Sequence, residues 1–425
     1  MKKLLYIFLA FMLIILPSIS FSKANYSYAA EITEETLNEQ TVTYIKQFVG
    51  YDSPAKTLVD RRAGTQGEHA AASQIISLIS ANGLVAKNND STTSGIQSFE
   101  FYNPNTGKKE TSRNVIFTLK GSDSSKKVVI SCNYDNYYSG YIGQNDQVIT
   151  TGEKYSEGIN ASAASVAVLL SLSKFISADT LPFDIDFVFF GAMYADNAGA
   201  NYYNQTLNKT EREQILFMFD LSRIAVGSNL YFYTSEFGSK QDAYLADKLG
   251  IKQFKNSVHG TGETANNNLG YVTGGYSDSA TVFAGTGLNY VHIFAGDYET
   301  GVFSGIRELD GQANVLNTEN DKYDYIVSTH KKMLLNNTKT IFLALDNLLS
   351  DENIVSSGEI KNGAINYQLI NNNYSHWITF FIIMICLIIA IVIHYTISKK
   401  TVKYAIDNKI TGVMIQVEDD KKEDE

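Results

Sequence analysis

Two stretches decide the fold: Ala163-Ala-Ser-Val-Ala-Val-Leu-Leu-Ser-Leu-Ser-Lys-Phe175 and, shortly after it, Ile185-Asp-Phe-Val-Phe-Phe190. The first is small or aliphatic around its whole circumference and long enough for a helix, so it predicts a helix buried on every side. The second places Phe187, Val188, Phe189 and Phe190 in succession. Such a strand has no polar face and must be covered on both sides. Working outward, Asn114–Leu119, Lys127–Cys132, Leu216–Leu221 and Tyr290–Phe294 predict further strands. Ala70–Leu84 has helical spacing and stops at Gly83, and Lys331–Leu349 predicts a closing helix. Apolar strands alternating with helices imply an α/β fold with a mixed, largely parallel central sheet flanked by helices. In such sheets sites gather at the carboxyl ends of the strands.

Composition narrows the function. The 425 residues are 44% hydrophobic and 19% charged, enough for a large core. The net charge of -10 disfavours nucleic acid, which needs a basic face to displace counterions. The two cysteines, Cys132 and Cys386, fall in an apolar strand and an apolar terminal run, so no disulfide framework is expected.

Two segments predict a location. Residues 1–30 open with Lys2 and Lys3, run apolar from Leu4 to Leu16 and reach Ala24, Ala29 and Ala30. That layout predicts a signal peptide or signal anchor. Residues 377–397 hold no acid, lysine or arginine and are followed by Lys399, Lys400 and Lys403. This predicts a single membrane span with the tail, 398–425, in the cytoplasm. Residues 31–349 are then one extracytoplasmic domain, and the polar stretch 350–376 is a juxtamembrane linker.

There is no His-Glu-x-x-His and no Gly-x-Ser-x-Gly elbow, and the glycine pairs at 260–262 and 285–287 lack the dinucleotide fingerprint. An ordered series of motifs is nevertheless present: Arg62-Ala-Gly-Thr-Gln-Gly67, Arg113-Asn-Val-Ile, Val128–Asp135, Gly158–Leu170, Phe187–Ala192, Asp220 after an apolar strand, Ser277-Asp278 with Val282–Gly285, and Asn317-Thr-Glu-Asn-Asp321. The series resembles the M28 family of zinc aminopeptidases over about residues 40–345.

That resemblance implies a site of two zinc ions held by two His, a bridging Asp, a Glu and a further Asp, with an adjacent Glu as general base. Here the corresponding positions are Asn133, Ala161, Tyr194, Asp220 and Asn317, and the base position is Met193. Only Asp220 is retained, along with Asp135, which in the family orients the first His. Asp184 and Asp186 lie at the start of their strand, opposite the expected site. His69, His259, His292 and His330 are scattered, and none falls on a ligand position. The expectation is therefore no catalytic residue, no metal and no cofactor. Zinc enters only under the alternative, an active metallo-aminopeptidase or other hydrolase with a rearranged site. Cys132 reads as a small core residue.

The leading expectation is a membrane-anchored M28 homologue that binds or scaffolds a peptide or protein ligand. Tyr137, Tyr138 and Tyr141, in the loop after Asp135, are the candidate binding residues. A third possibility is a domain that serves mainly to present its membrane helix or tail.

Overall fold

The computed structural model describes residues 32–53, 58, 60–87, 95–104, 106–136, 156–177, 181–234, 240–253, 279–283, 286–296, 315–316, 318–360, 384, 391–392 and 394–400. The strands among them are β1 (Val85–Ala86), β2 (Ile96–Asn103), β3 (Lys108–Leu119), β4 (Lys127–Asn133), β5 (Asp184–Phe190), β6 (Ile215–Leu221), β7 (Asn229–Thr234), β8 (Lys252–Gln253) and β9 (Tyr290–Gly296). They form one sheet in the order β1-β3-β5-β4-β6-β9-β7-β8, with β2 also paired to β3. The centre, β5-β4-β6-β9, is parallel. β3 and β7 run antiparallel to their central neighbours, so the sheet is mixed.

The helices follow from local signals. α1 (Glu34–Val49) starts on Thr33, whose side chain accepts from Thr36 N. α2 (Gln66–Ala81) starts on Thr65, whose hydroxyl accepts from Glu68 N, so it begins earlier than the apolar spacing predicts. A π-helical turn, Ile159–Ala163, leads into α3 (Ala164–Phe175). Next come α4 (Ala198–Thr206), α5 (Lys209–Gln214), α6 (Lys240–Leu249), the short α7 (Ala280–Phe283), α8 (Tyr323–Thr329), α9 (Lys331–Leu349) and α10 (Ile354–Glu359).

These helices cover both faces of the sheet. Side chains of α1, α2, α3, α6, α8 and α9 pack with Val128, Ile130, Phe187, Phe189, Phe217 and Phe219 on one face. On the other, Ala200 and Tyr203 of α4 and Phe283 of α7 pack with Val129, Val188, Phe190, Met218 and Tyr290. Every residue of β5 and β6 is buried, as a doubly covered strand requires.

The fold carries on past Leu349, where the sequence predicts a linker. α10 packs on β6 through Gly358, whose carbonyl accepts from Asn289 Nδ2 at 2.9 Å. The start of the expected linker is therefore folded; its polar composition hides a short helix fixed by non-local contacts.

Residues 363–425 form a second unit. Taken by itself, its described part includes a helical run over 394–400. Among the described residues no helix is long and apolar enough to cross a membrane. Most of the expected span 377–397, and all of the expected signal segment 1–30, lie outside the described residues.

Candidate active-site cleft

The parallel strands bring the expected positions together at their carboxyl ends. β4 ends at Asn133, with Asp135 just beyond; β5 is followed by Met193 and Tyr194; β6 delivers Asp220. The turn into α3 places Ala161. Asn317, Tyr137, Tyr138 and Tyr141 lie outside the described residues.

A buried ionic framework holds these segments. Arg61 is fully buried and donates from Nε to Tyr134 O (3.0 Å), from Nη1 to Leu58 O (2.8 Å), and from Nη2 to Glu157 O (2.8 Å) and Ser162 Oγ (3.1 Å). Its guanidinium also lies 4.6 Å from the Phe48 ring centroid. Burial brings its pKa down to about 10, against the charges of Asp321, Asp135 and Glu157. The motif read around Arg62 thus puts a different arginine inside: Arg62 pairs with Asp60 at 2.8 Å and is partly exposed. Gly158, at φ 65°, lies where a Cβ would come within 2.8 Å of Arg61 Nη2, so only glycine fits this left-handed position against the guanidinium.

Asp321, the last residue of the terminal motif, serves as a cap. Its carboxylate accepts from Asn160 N (2.6 Å) and Ala161 N (3.1 Å), and its carbonyl from Glu157 N (2.8 Å) and Gly158 N (3.0 Å). Burial pushes its carboxyl up to about 7 despite those bonds. Asn160 Oδ1 then accepts from Ala225 N and Val226 N, both at 3.0 Å, tying the same turn to the chain after β6.

The turn after β5 is strained. Ala192, Asp196 and Asn197 have φ of 51°, 55° and 55°. Non-glycine residues in this region cost about 1 kcal/mol each and persist where surroundings enforce them. Two carboxylates do so here. Glu68 accepts from Ala192 N (2.7 Å), Ser112 Oγ (2.7 Å) and Gly64 N (2.6 Å). Asp135 accepts from Tyr194 N (2.9 Å). Burial raises Glu68 to about 8, helped by the charge of Asp135, and raises Asp135 to about 6.

Among the described residues, those at the expected ligand positions do not fit a pair of zinc ions. Asn133 turns its Nδ2 to Asp135 O (3.1 Å) and Oδ1 (3.3 Å), leaving a neutral Oδ1 with no partner among the described residues. Ala161 offers no donor atom, and Tyr194 packs against it together with Leu316. Met193 packs among the apolar residues of the sheet face with Phe190 and Tyr203. Asp220 accepts hydrogen bonds instead. Ser131 Oγ donates to its Oδ1 at 2.7 Å, while Oδ2 takes the Ser279 hydroxyl, Tyr290 OH (3.2 Å) and His292 Nδ1 (3.2 Å). Two dications need several anionic or imidazole ligands, and this donor set does not supply them.

Ser131, Asp220 and His292 form one row because strand register aligns Ser131 with Asp220 and Asp220 with His292. The scattered histidines of the sequence gave no sign of this pairing. The available signal was a polar residue within each of three largely apolar neighbouring strands. Glu68 and Arg61 were likewise missed, because their partners lie far along the chain. Cys132 is fully buried, and burial pushes its thiol well above the ordinary range, which suits a core residue and not a nucleophile.

Comparison with curated proteins returns no match. Among solved structures, BSAP, a zinc aminopeptidase from Bacillus subtilis, superposes with a TM-score of 0.50 at 14% identity, over 72% of this chain and 94% of its own. A glutaminyl cyclase from Tannerella forsythia gives a TM-score of 0.49 at 18% identity, over 73% of this chain and 98% of its own. An aminopeptidase from Aneurinibacillus sp. strain AM-1 gives 0.47 at 14% identity, over 74% and 95%. The first of these likenesses is one of fold. The family model described as Peptidase family M28 matches residues 114–341, more than half of the chain and the span that carries β4 through α8 and the first part of α9. The chain therefore belongs to peptidase family M28.

Proposed function

We propose that this chain keeps the M28 fold as a membrane-anchored, extracytoplasmic binding or scaffolding domain and has lost two-zinc peptidase chemistry. One observation carries the reading: Asp220, the one acidic residue at a ligand position, spends both carboxylate oxygens on Ser131, Ser279, Tyr290 and His292. A carboxylate satisfied in this way has no need of a cation, and the volume beside Ala161 is filled by Tyr194. Without metal, no water is brought toward neutrality as a nucleophile, and Met193 cannot act as its base.

The framework around the site supports a retained cleft. Asp135, Glu68 and Asp321 hold the same loops that would have carried ligands. A peptide or protein is the ligand class proposed, with Tyr137, Tyr138 and Tyr141 as contact residues. Anchoring is proposed on residues 377–397 and the lysines that follow them. The test is release of amino acids from a panel of short peptides by the full-length protein, with added zinc and with a chelator. The expected rate is that of the buffer in both conditions. Zinc-stimulated release that the chelator abolishes contradicts the proposal.

A further inference from the structure

The two edges of the sheet end differently. At one, β8 is two residues long and offers little backbone to a neighbour. At the other, β2 runs for eight residues in unbroken register with β3, from Ile96 opposite Val115 to Asn103 opposite Lys108. Proline, lysine and bulges are the usual means of blunting such an edge. Ile96-Gln-Ser-Phe-Glu-Phe-Tyr-Asn103 has no proline, no lysine and no register shift.

The ladder fixes which backbone groups are open. Ile116 N donates to Gly95 O at 2.8 Å, one step before the strand. By the alternation of an antiparallel pair, Gln97, Phe99, Phe101 and Asn103 then turn their N–H and C=O toward β3. Ile96, Ser98, Glu100 and Tyr102 turn theirs outward, and these have no hydrogen-bond partner among the described residues. The far side of β3 is closed by side chains instead: Thr111 O accepts from His69 Nε2 (3.0 Å) and Arg113 O from Tyr134 OH (2.7 Å). β2 is also held firmly from its buried face. Phe99 stacks on Tyr202 at 5.2 Å, Gln97 Oε1 accepts from Asn114 Nδ2 at 2.9 Å, and Asn103 Nδ2 donates to Glu110 at 2.7 Å. Ser98, Glu100 and Tyr102 stand on the open face, where Tyr102 is 67% exposed.

Charge indicates what fits there. On the open face Lys109 pairs with Glu100 at 2.5 Å. Arg113, in register beside Ser98, is half-buried and has no carboxylate partner among the described residues. A second β2 laid antiparallel about a two-fold axis at Phe99 sets Ser98 opposite Glu100 of the second copy, and Ile96 opposite its Tyr102. Every outward group is then paired, and Glu100 faces the second copy's Arg113 across the small Ser98 between them. Other registers do worse. An axis at Glu100 sets two carboxylates face to face, an axis at Phe101 brings Pro104, which has no N–H, opposite Ser98, and an axis at Ser98 leaves Tyr102 beyond the end of the facing strand.

We propose that β2 is a dimerisation edge, through which two copies of this chain join antiparallel into one continuous sheet with Phe99 on the two-fold axis. Because both copies use the same edge, the assembly closes at two.

The test is sedimentation equilibrium of the full-length protein in detergent, with a disulfide map of the register. The wild type should sediment as a dimer. Ser98→Pro removes an N–H that faces away from β3, so it should keep the circular dichroism spectrum and raise the dissociation constant roughly 30-fold or more. Arg113→Glu should weaken the dimer as well. For the map, two differently tagged Cys386→Ser chains are co-expressed and oxidised, one carrying Ser98→Cys and the other Glu100→Cys. Directly opposite residues lie about 5.5 Å apart at Cα, so these two chains should crosslink, whereas two Glu100→Cys chains should not. A wild-type monomer overturns the proposal and leaves the edge to another partner, such as an extended peptide. Open-ended oligomers, a Ser98→Pro or Arg113→Glu dimer as tight as the wild type, or equal crosslinking of two Glu100→Cys chains overturns it too. Should Ser98→Pro fail to fold, Arg113→Glu and the disulfide map decide.

Discussion

At the scale of single residues, three buried carboxyl groups and the buried Arg61 frame the site. Glu68, Asp135 and Asp321 all have carboxyls raised by burial, to about 8, 6 and 7. The native state therefore keeps protons that the unfolded chain releases near pH ~4. The stability these groups contribute is full below that range and is lost as pH rises through about 6, 7 and 8 in turn. Melting temperature, measured by calorimetry, should fall between about pH 4 and about pH 8, and Glu68→Gln should flatten the upper part of that fall. A melting temperature that stays flat across the window would show that these carboxylates are already ionised in the fold.

Legibility at this scale was uneven, for a physical reason. The positions of Asn133, Ala161, Met193, Tyr194 and Asp220 were read from order along the chain, because strand ends and the turns after them are local features. What Asp220 touches was not read. Ser131, Ser279, Tyr290 and His292 reach it only through strand register and the closure of α7 onto the sheet. Hydrogen-bond partners set by tertiary packing leave little trace in local sequence.

At the scale of elements, the apolar strands and α9 were plain from pattern, and α9 has the bounds its periodicity predicts, Lys331–Leu349. The first half of β3 was not, because Lys108–Arg113 is polar and pairs with β2 in a hairpin at the sheet edge. The least legible element is the turn into α3. It carries a π-helical turn whose buried N–H groups need an acceptor, and Asp321, far along the chain, provides it. Asp321→Ala should leave both N–H groups buried without a partner and cost about 2–4 kcal/mol in denaturant unfolding. A loss below about 0.5 kcal/mol, within the range of ordinary surface changes, would show that the cap is not what fixes this turn. The close approach of α4 to the turn after β5 is of the same kind: a Cβ on Gly199 would lie 2.1 Å from Gly191 O.

At the scale of the whole molecule, the family is that of the M28 peptidases, and the proposal is that the domain's use has changed. The proposed topology places residues 31–360 outside the membrane and the tail inside, on the evidence of Lys399, Lys400 and Lys403 beside an uncharged run. Protease added to intact cells should digest the domain and spare a tag placed after Glu425; protection of the domain would reverse the orientation. The central claim concerns metal. A full-length protein purified in the presence of zinc, washed and analysed by elemental mass spectrometry should contain far less than one zinc per chain, and a chelator should leave its melting temperature unchanged. One or two zinc ions per chain, with a melting temperature that drops on chelation, would contradict the account.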